Sequence, residues 1–120
     1  MDWKKSSHFR KIEFTCNCGC GQCDMNEQFI GALNMARKDA GIPFRISSGY
    51  RCESHNKKVG GVKDSSHTKG IAADILTSGS EERRKILVAV LRYFPRVGIH
   101  KSFIHVDLDI EKSGDVVWVY

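Results

Sequence analysis

The run Gly70-Ile71-Ala72-Ala73-Asp74-Ile75-Leu76 constrains this chain more than any other stretch. Alternate residues of a strand face opposite sides, and here both sides are apolar, the pattern of an interior strand covered on both faces. One carboxylate, Asp74, stands inside it. An ionised carboxylate taken out of water without a partner is strongly penalised, so a cation has to meet Asp74. A salt bridge to Arg51 or another base is the plain solution. A metal ion is the other, and His67, seven residues upstream across a glycine-containing turn, supplies a second ligand for it.

A third ligand comes from the segment Phe103–Ile110, which alternates cleanly. Ile104, Val106, Leu108 and Ile110 share one face, and His105, Asp107 and Asp109 share the other. Laid beside the first strand, it would bring His105 to Asp74 while the intervening loop carries His67 over both. Two imidazoles and a carboxylate, with a fourth position left open, form the ligand set of a catalytic rather than a structural zinc site. Hydrolysis at such a site also needs a base. Asp107, on the same strand face as His105, is a candidate for that role and equally for accepting a hydrogen bond from a ligand histidine. His100 and His55 are weaker candidates. Arg51, at the end of the Ser48-Gly49-Tyr50-Arg51 turn, can hold a substrate carboxylate or polarise a carbonyl; otherwise it neutralises Asp64 or Asp74. Ser65 can hydrogen-bond substrate or stabilise its own turn.

The remaining segments supply a scaffold. Asp24-Met25-Asn26-Glu27 has the form of a capping box, so a helix is expected to start there. Met25, Phe29, Leu33, Ala36 and Ala40 form its buried stripe, and Gly41 with Pro43 stops it. Phe44–Ser47 reads as a short strand and Glu53–Val59 as a short helix closed by Gly60-Gly61. Ser80 can cap a second long helix with a stripe of Ile86, Leu87, Val90, Leu91 and Phe94, ended by Pro95. Val97–His100 reads as a strand, and Asp115–Tyr120 as a last one, joined to the preceding strand as a hairpin through Ser113-Gly114. A chain of 120 residues, 41% hydrophobic, suffices for one core. The expected architecture is a single α+β domain over residues 1–120, with helices packed on a mainly antiparallel sheet.

The net charge of +5 is spread along the chain, as on a solvated surface, and would help approach to an anionic polymer. Basic and aromatic residues are not interleaved at any regular spacing, which argues against a nucleic-acid-binding protein. No run is long enough to span a bilayer, and the opening MDWKKSSHFRKIEF lacks the apolar core of a signal peptide. Synthesis in the cytoplasm, with delivery to any outside substrate by another route, is expected.

Cys16, Cys18, Cys20 and Cys23 place four thiols within eight residues. Cys20 and Cys23 have the C-x-x-C spacing of a zinc half-site, but no second pair follows, and Cys52 is the only other cysteine. A glycine-rich turn with partly buried free thiols ranks above a structural zinc here. A disulfide to Cys52 cannot be placed from the sequence.

Three motifs together carry a family resemblance: Ser48-Gly49-Tyr50-Arg51; the pattern S-x-H-x-x-G-x-A-x-D at Ser65, His67, Gly70, Ala72 and Asp74; and H-x-D at His105 and Asp107. In these the chain resembles the zinc D-alanyl-D-alanine carboxypeptidase family, which shares its fold with the hedgehog signalling domain and lysostaphin-type endopeptidases, and above all its short single-domain members from bacteriophage and bacterial genomes. The resemblance implies zinc held by His67, Asp74 and His105, a substrate contact from Arg51, and cleavage of peptidoglycan stem peptides or cross-bridges, by a carboxypeptidase or an endolysin-type endopeptidase. Several relatives carry a catalytic acid three positions before the final histidine. Here that position is Ser102, so Asp107 as base rests on strand geometry. The competing expectation is a non-catalytic zinc-binding module that recognises cell wall or a protein partner.

Overall fold

A computed structural model describes residues 1–120. The elements in chain order are α1 (Glu27–Ala40), β1 (Ile46–Ser48), α2 (Glu53–Lys58), β2 (Ala72–Leu76), α3 (Gly79–Val90), β3 (Arg96–Ile99), β4 (Phe103–Asp107) and β5 (Val116–Val119), with short 3-10 turns at Trp3–Lys5, Lys11–Phe14 and Ser66–Lys69. The five strands form one sheet in the order β1-β2-β4-β3-β5, antiparallel except for β3 with β5. The protein is therefore α+β, as its alternating and helical periodicities predict.

The strand period of two divides the sheet into an apolar face and a chemical face. Ala73, Ile75, Val97, Ile104 and Val106 enter a core with Phe29, Ile30, Leu33 and Ala36 of α1 and Ile86, Ala89 and Val90 of α3. Each large side chain buried there contributes roughly 1.5–3 kcal/mol, so this face holds the strands in register. Asp74, Gly98 and His105 alternate with those core residues and belong to the opposite face. Asp74 and Gly98 both lie directly opposite His105 across the sheet.

Several boundaries differ from expectation. The helix α1 is capped by Asn26, whose side chain accepts the Phe29 N–H, and not by Asp24. The Asn26 N–H is drawn to the Gly70 carbonyl, so residues 24–26 bridge to the loop that carries His67 before the helix can begin. Likewise α3 starts after Ser78, not Ser80, with the Ser78 N–H bonded to Glu82. The helix α3 ends at Val90, and Leu91, which caps it in a right-handed helical conformation, is not part of the buried stripe but 47% exposed. At the other end, β4 stops at Asp107, which leaves Ile110 in solvent. The largest correction concerns β5. It forms no hairpin with β4, because β2 and β3 already occupy both sides of that strand, and it adds in parallel to the outer edge of β3.

Candidate metal centre

His67, Asp74 and His105 reach one point from three directions. The antiparallel register of β2 and β4 sets Asp74 opposite His105, and facing side chains in such a pair are close enough for direct contact. His67 arrives on the 3-10 turn Ser66–Lys69. Ser65 caps that turn by accepting the His67 N–H, and Gly70 ends it in the left-handed conformation. A Cβ at Gly70 would collide with the Asp24 carbonyl, so the glycine lets the loop pack against the start of α1.

The hydrogen bonds orient each donor atom. The Nδ1 of His67 lies 2.8 Å from the Gly49 carbonyl, which fixes the proton on Nδ1 and turns Nε2 toward Asp74 Oδ1 at 3.4 Å. The Nε2 of His105 donates to Asp107 at 2.7 Å, which leaves Nδ1 at 2.9 Å from the same Asp74 oxygen. The donors of all three residues lie within 4.8 Å of one another, and all three side chains are largely sheltered from solvent. Tetrahedral zinc with ligands at about 2.0–2.2 Å separates neighbouring donors by about 3.3 Å, so the donor set fits that ion. Asp74 has no bond to Arg51; its neighbours in the metal-free protein are the two histidines.

Electrostatics follow from the same contacts. Burial would push the Asp74 carboxyl up, but hydrogen bonds from His105 and His67 outweigh it and hold the group well below the usual carboxylate range. For His105 burial works downward, and the bonds to Asp107 and Asp74 overcome it, so the imidazole is raised above its ordinary value. A site that stabilises positive charge on its own histidine when metal-free is prepared for a cation.

Asp107 is 1% exposed and both its oxygens are engaged. Oδ2 accepts from His105, while Oδ1 accepts from Arg96 Nε at 2.9 Å and from the Asp109 N–H at 3.0 Å. Although burial raises it, the carboxyl is held below its ordinary range, with the His105 bond the largest opposing influence. Of the two roles open to Asp107, orienting a ligand histidine matches this geometry. A base would have to break the ion pair with Arg96 or the bond to His105 to take a proton.

A cleft of about 520 Å³ opens above the centre. Arg51 and Ser65 both line it. The Arg51 guanidinium touches only neutral partners, Asn56 Oδ1 at 2.9 Å and Ser48 Oγ at 3.5 Å, so its charge has no acidic partner; Asp64 pairs with Lys69 instead. Ser65 Oγ accepts the His67 N–H within the turn, and its own O–H remains able to donate into the cleft. Ser102 bonds to His100 and does not reach the cleft.

Three features of the site escape sequence reasoning. Trp118 of β5 lies over Gly98, where a Cβ would meet the indole, and reaches His105 with ring centroids 5.4 Å apart. Arg96 stacks on that indole at 4.9 Å while it holds Asp107. Asp109, 2% exposed, accepts from Ser66 at 2.7 Å and pairs with Lys69, which ties the His67 turn to the end of β4. A glycine inside a strand, marking a close approach, was the one local signal; the partners it admits were not readable.

A His–carboxylate–His set at the floor of an open cleft, with a carboxylate behind one histidine, is the donor arrangement that metal-dependent hydrolases use. The family model described as Peptidase M15 matches residues 7–107, and the chain belongs to that family of zinc peptidases. No curated protein matches this chain. No helix is long and apolar enough to cross a membrane.

Proposed function

We propose that this protein is a zinc metallopeptidase that hydrolyses peptidoglycan stem peptides or cross-bridges, with zinc held by His67 Nε2, Asp74 and His105 Nδ1. The observation that carries this reading is the convergence of those three donors beneath a cleft that also presents an unpaired arginine. Zinc so held would supply Lewis acidity, polarising a scissile carbonyl and making water a competent nucleophile near neutral pH.

The chain's own residues bind and orient. Gly49 and Asp107 fix the tautomers of His67 and His105 by accepting the proton of the nitrogen that faces away from Asp74. Arg96 keeps Asp107 ionised and immobile. Arg51 can receive a substrate carboxylate as a charge-assisted pair, which favours a peptide with a free carboxylate close to the scissile bond, as at a terminal D-alanine. Trp118, Phe103 and Tyr120 form one wall of the cleft, a surface suited to the methyl groups of such a peptide.

One observation favours a second reading, a zinc-binding module without turnover. Asp74 and Asp107 are the only carboxylates lining the cleft, and both are occupied within the site. Incubating the purified protein with peptidoglycan fragments, with and without a chelator, and identifying products by mass separates the possibilities. Chelator-sensitive release of D-alanine supports a carboxypeptidase, and release of larger peptides an endopeptidase. Stoichiometric zinc binding without any product would leave the binding module.

A further inference from the structure

The cysteine-glycine segment before α1 is not absorbed by the metal centre. Cys16, Cys18 and Cys20 are alternate residues, which in an extended strand would point the same way about 6.6 Å apart, too far to share an ion. The segment is not extended. Gly19 and Gly21 both take the left-handed conformation, with φ of +86° and +78°, and the Cys16 N–H bonds to the Gln22 carbonyl at 2.8 Å, closing the chain into a tight loop. The curl draws the three sulfurs together.

The fourth thiol is Cys52, brought in by the fold. The Sγ of Cys18 lies 3.5 Å from that of Cys16 and 3.7 Å from that of Cys52, and all four sulfurs lie within 4.8 Å of one another. Tetrahedral zinc–thiolate bonds of about 2.3 Å separate sulfurs by about 3.8 Å. Three backbone amides point at sulfur in the manner that supports thiolates: Cys52 N–H to Cys16, His55 N–H to Cys52 and Gln22 N–H to Cys20, at 3.4, 3.4 and 3.5 Å. Burial of thiols as small hydrophobes does not account for this, because Cys18 and Cys20 are exposed. All five cysteines are free, and Cys23, the expected C-x-x-C partner of Cys20, faces the Lys11 carbonyl instead.

We propose that Cys16, Cys18, Cys20 and Cys52 form a second metal site, a closed tetrathiolate that binds a thiophilic divalent cation, zinc by preference. Four thiolates with no open position make a structural site, and ligation releases the thiol protons to solvent. Its place in the fold gives it a task. Cys52 follows Arg51 directly, the Tyr50 N–H bonds to the Phe14 carbonyl at 2.9 Å, and the Arg51 N–H bonds to the His67 carbonyl at 3.2 Å. The ion would staple the segment ahead of α1 to the backbone that presents Gly49 and Arg51 to the cleft. The site stands on its own geometry, apart from any reading of the hydrolytic centre.

The test is metal analysis and cobalt substitution of the full chain purified under reducing conditions. The wild type is expected to hold about two equivalents of zinc, and its cobalt form to show a thiolate-to-cobalt charge-transfer band, which the His67–Asp74–His105 set cannot produce. The double variant Cys18→Ser, Cys20→Ser is expected to lose that band and about one equivalent. His67→Ala should lose one equivalent and keep the band, and Cys23→Ser should keep both. Absence of the band from the cobalt-loaded wild type would overturn the proposal even if the double variant failed to fold, as would a disulfide among the four cysteines of the reduced preparation or full zinc content in the folded double variant.

Discussion

The segment Gly49–Cys52 separates two clusters of ligand-type side chains that are built in opposite ways. On one side, His67, Asp74 and His105 are set by strand register and by hydrogen bonds to Gly49 and Asp107, and they open onto a cleft. On the other, Cys16, Cys18, Cys20 and Cys52 are gathered by left-handed glycines in a loop outside any strand or helix, apart from the cap that Cys52 provides to α2. The first site is held in shape by the protein before any ion binds. The second brings four mutually repelling thiolates together if they ionise, so the ion itself must supply much of the cohesion. If both bind an ion as proposed, the contrast separates their tasks: a preformed, open site can do chemistry, whereas a closed thiolate site contributes folding energy.

The largest losses are expected at the open site. His67→Ala is expected to lower hydrolysis by roughly a thousandfold or more, since it removes a ligand of the group that supplies the Lewis acid. Metal analysis should show loss of one equivalent with the thiolate band untouched; loss of both ions would mean that the two sites are not independent. Arg51→Ala comes next, lowering kcat/KM by about 30- to 100-fold with zinc content unchanged, the worth of about 2–3 kcal/mol in a charge-assisted pair. Arg51→Lys should rescue little of this, because an ammonium lacks the planar fork.

Asp107→Asn sharpens the assignment of that residue. As the group orienting His105, it should weaken zinc affinity by about 10- to 100-fold, with turnover restored by excess zinc. Turnover that stays lost at saturating zinc would return the role of base to Asp107. At the thiolate site, Cys18→Ser with Cys20→Ser is expected to lower the melting temperature by roughly 5–10 °C, corresponding to about 1–2 kcal/mol in a domain of this size, while activity changes only a few-fold. The core beneath α1 and α3 remains intact in that variant, which is why the loss is modest.

The smallest effect is on the pH dependence of the metal-free protein. Asp74 has a depressed folded value, so its stabilising contribution is complete above the ordinary aspartate range and fades as pH falls toward that folded value. His105 has a raised one, so its contribution is complete below the ordinary histidine value near 6.5 and is lost as pH rises through its folded value. Stability of the metal-free chain, followed by denaturant titration, should therefore be greatest between the two ranges. Zinc, which displaces the proton on His105 Nδ1, should bind more tightly as pH rises. A flat profile would mean that the pair does not contribute.

Much of the open site was legible because its residues break local rules. A carboxylate in a run otherwise apolar on both sides cannot stand alone, although Asp74's side proved to face a cleft and not a second core, and a histidine and an aspartate on a cleanly alternating strand must share a face. Those constraints come from strand geometry and desolvation, which act within a few residues, and they singled out Asp74, His105 and Asp107. The stop of α1 at Gly41, in the left-handed conformation at φ 69°, was legible for the same reason.

Contacts between elements distant in the chain were decided by the tertiary structure alone. The sequence showed Cys20 beside Cys23 but could not show that Cys52, from the far side of α1 and β1, would take the fourth place. In the sequence Gly98 reads only as part of a strand, and the parallel addition of β5 revealed that Trp118 lies over it and reaches His105. Asp107 shared a face with His105 in the sequence, but only the folded chain showed Arg96 and the Asp109 amide on one of its oxygens and His105 on the other. Local periodicity fixes which face a side chain occupies. Which partners meet it there depends on sheet order and loop path, and those are set by the whole core.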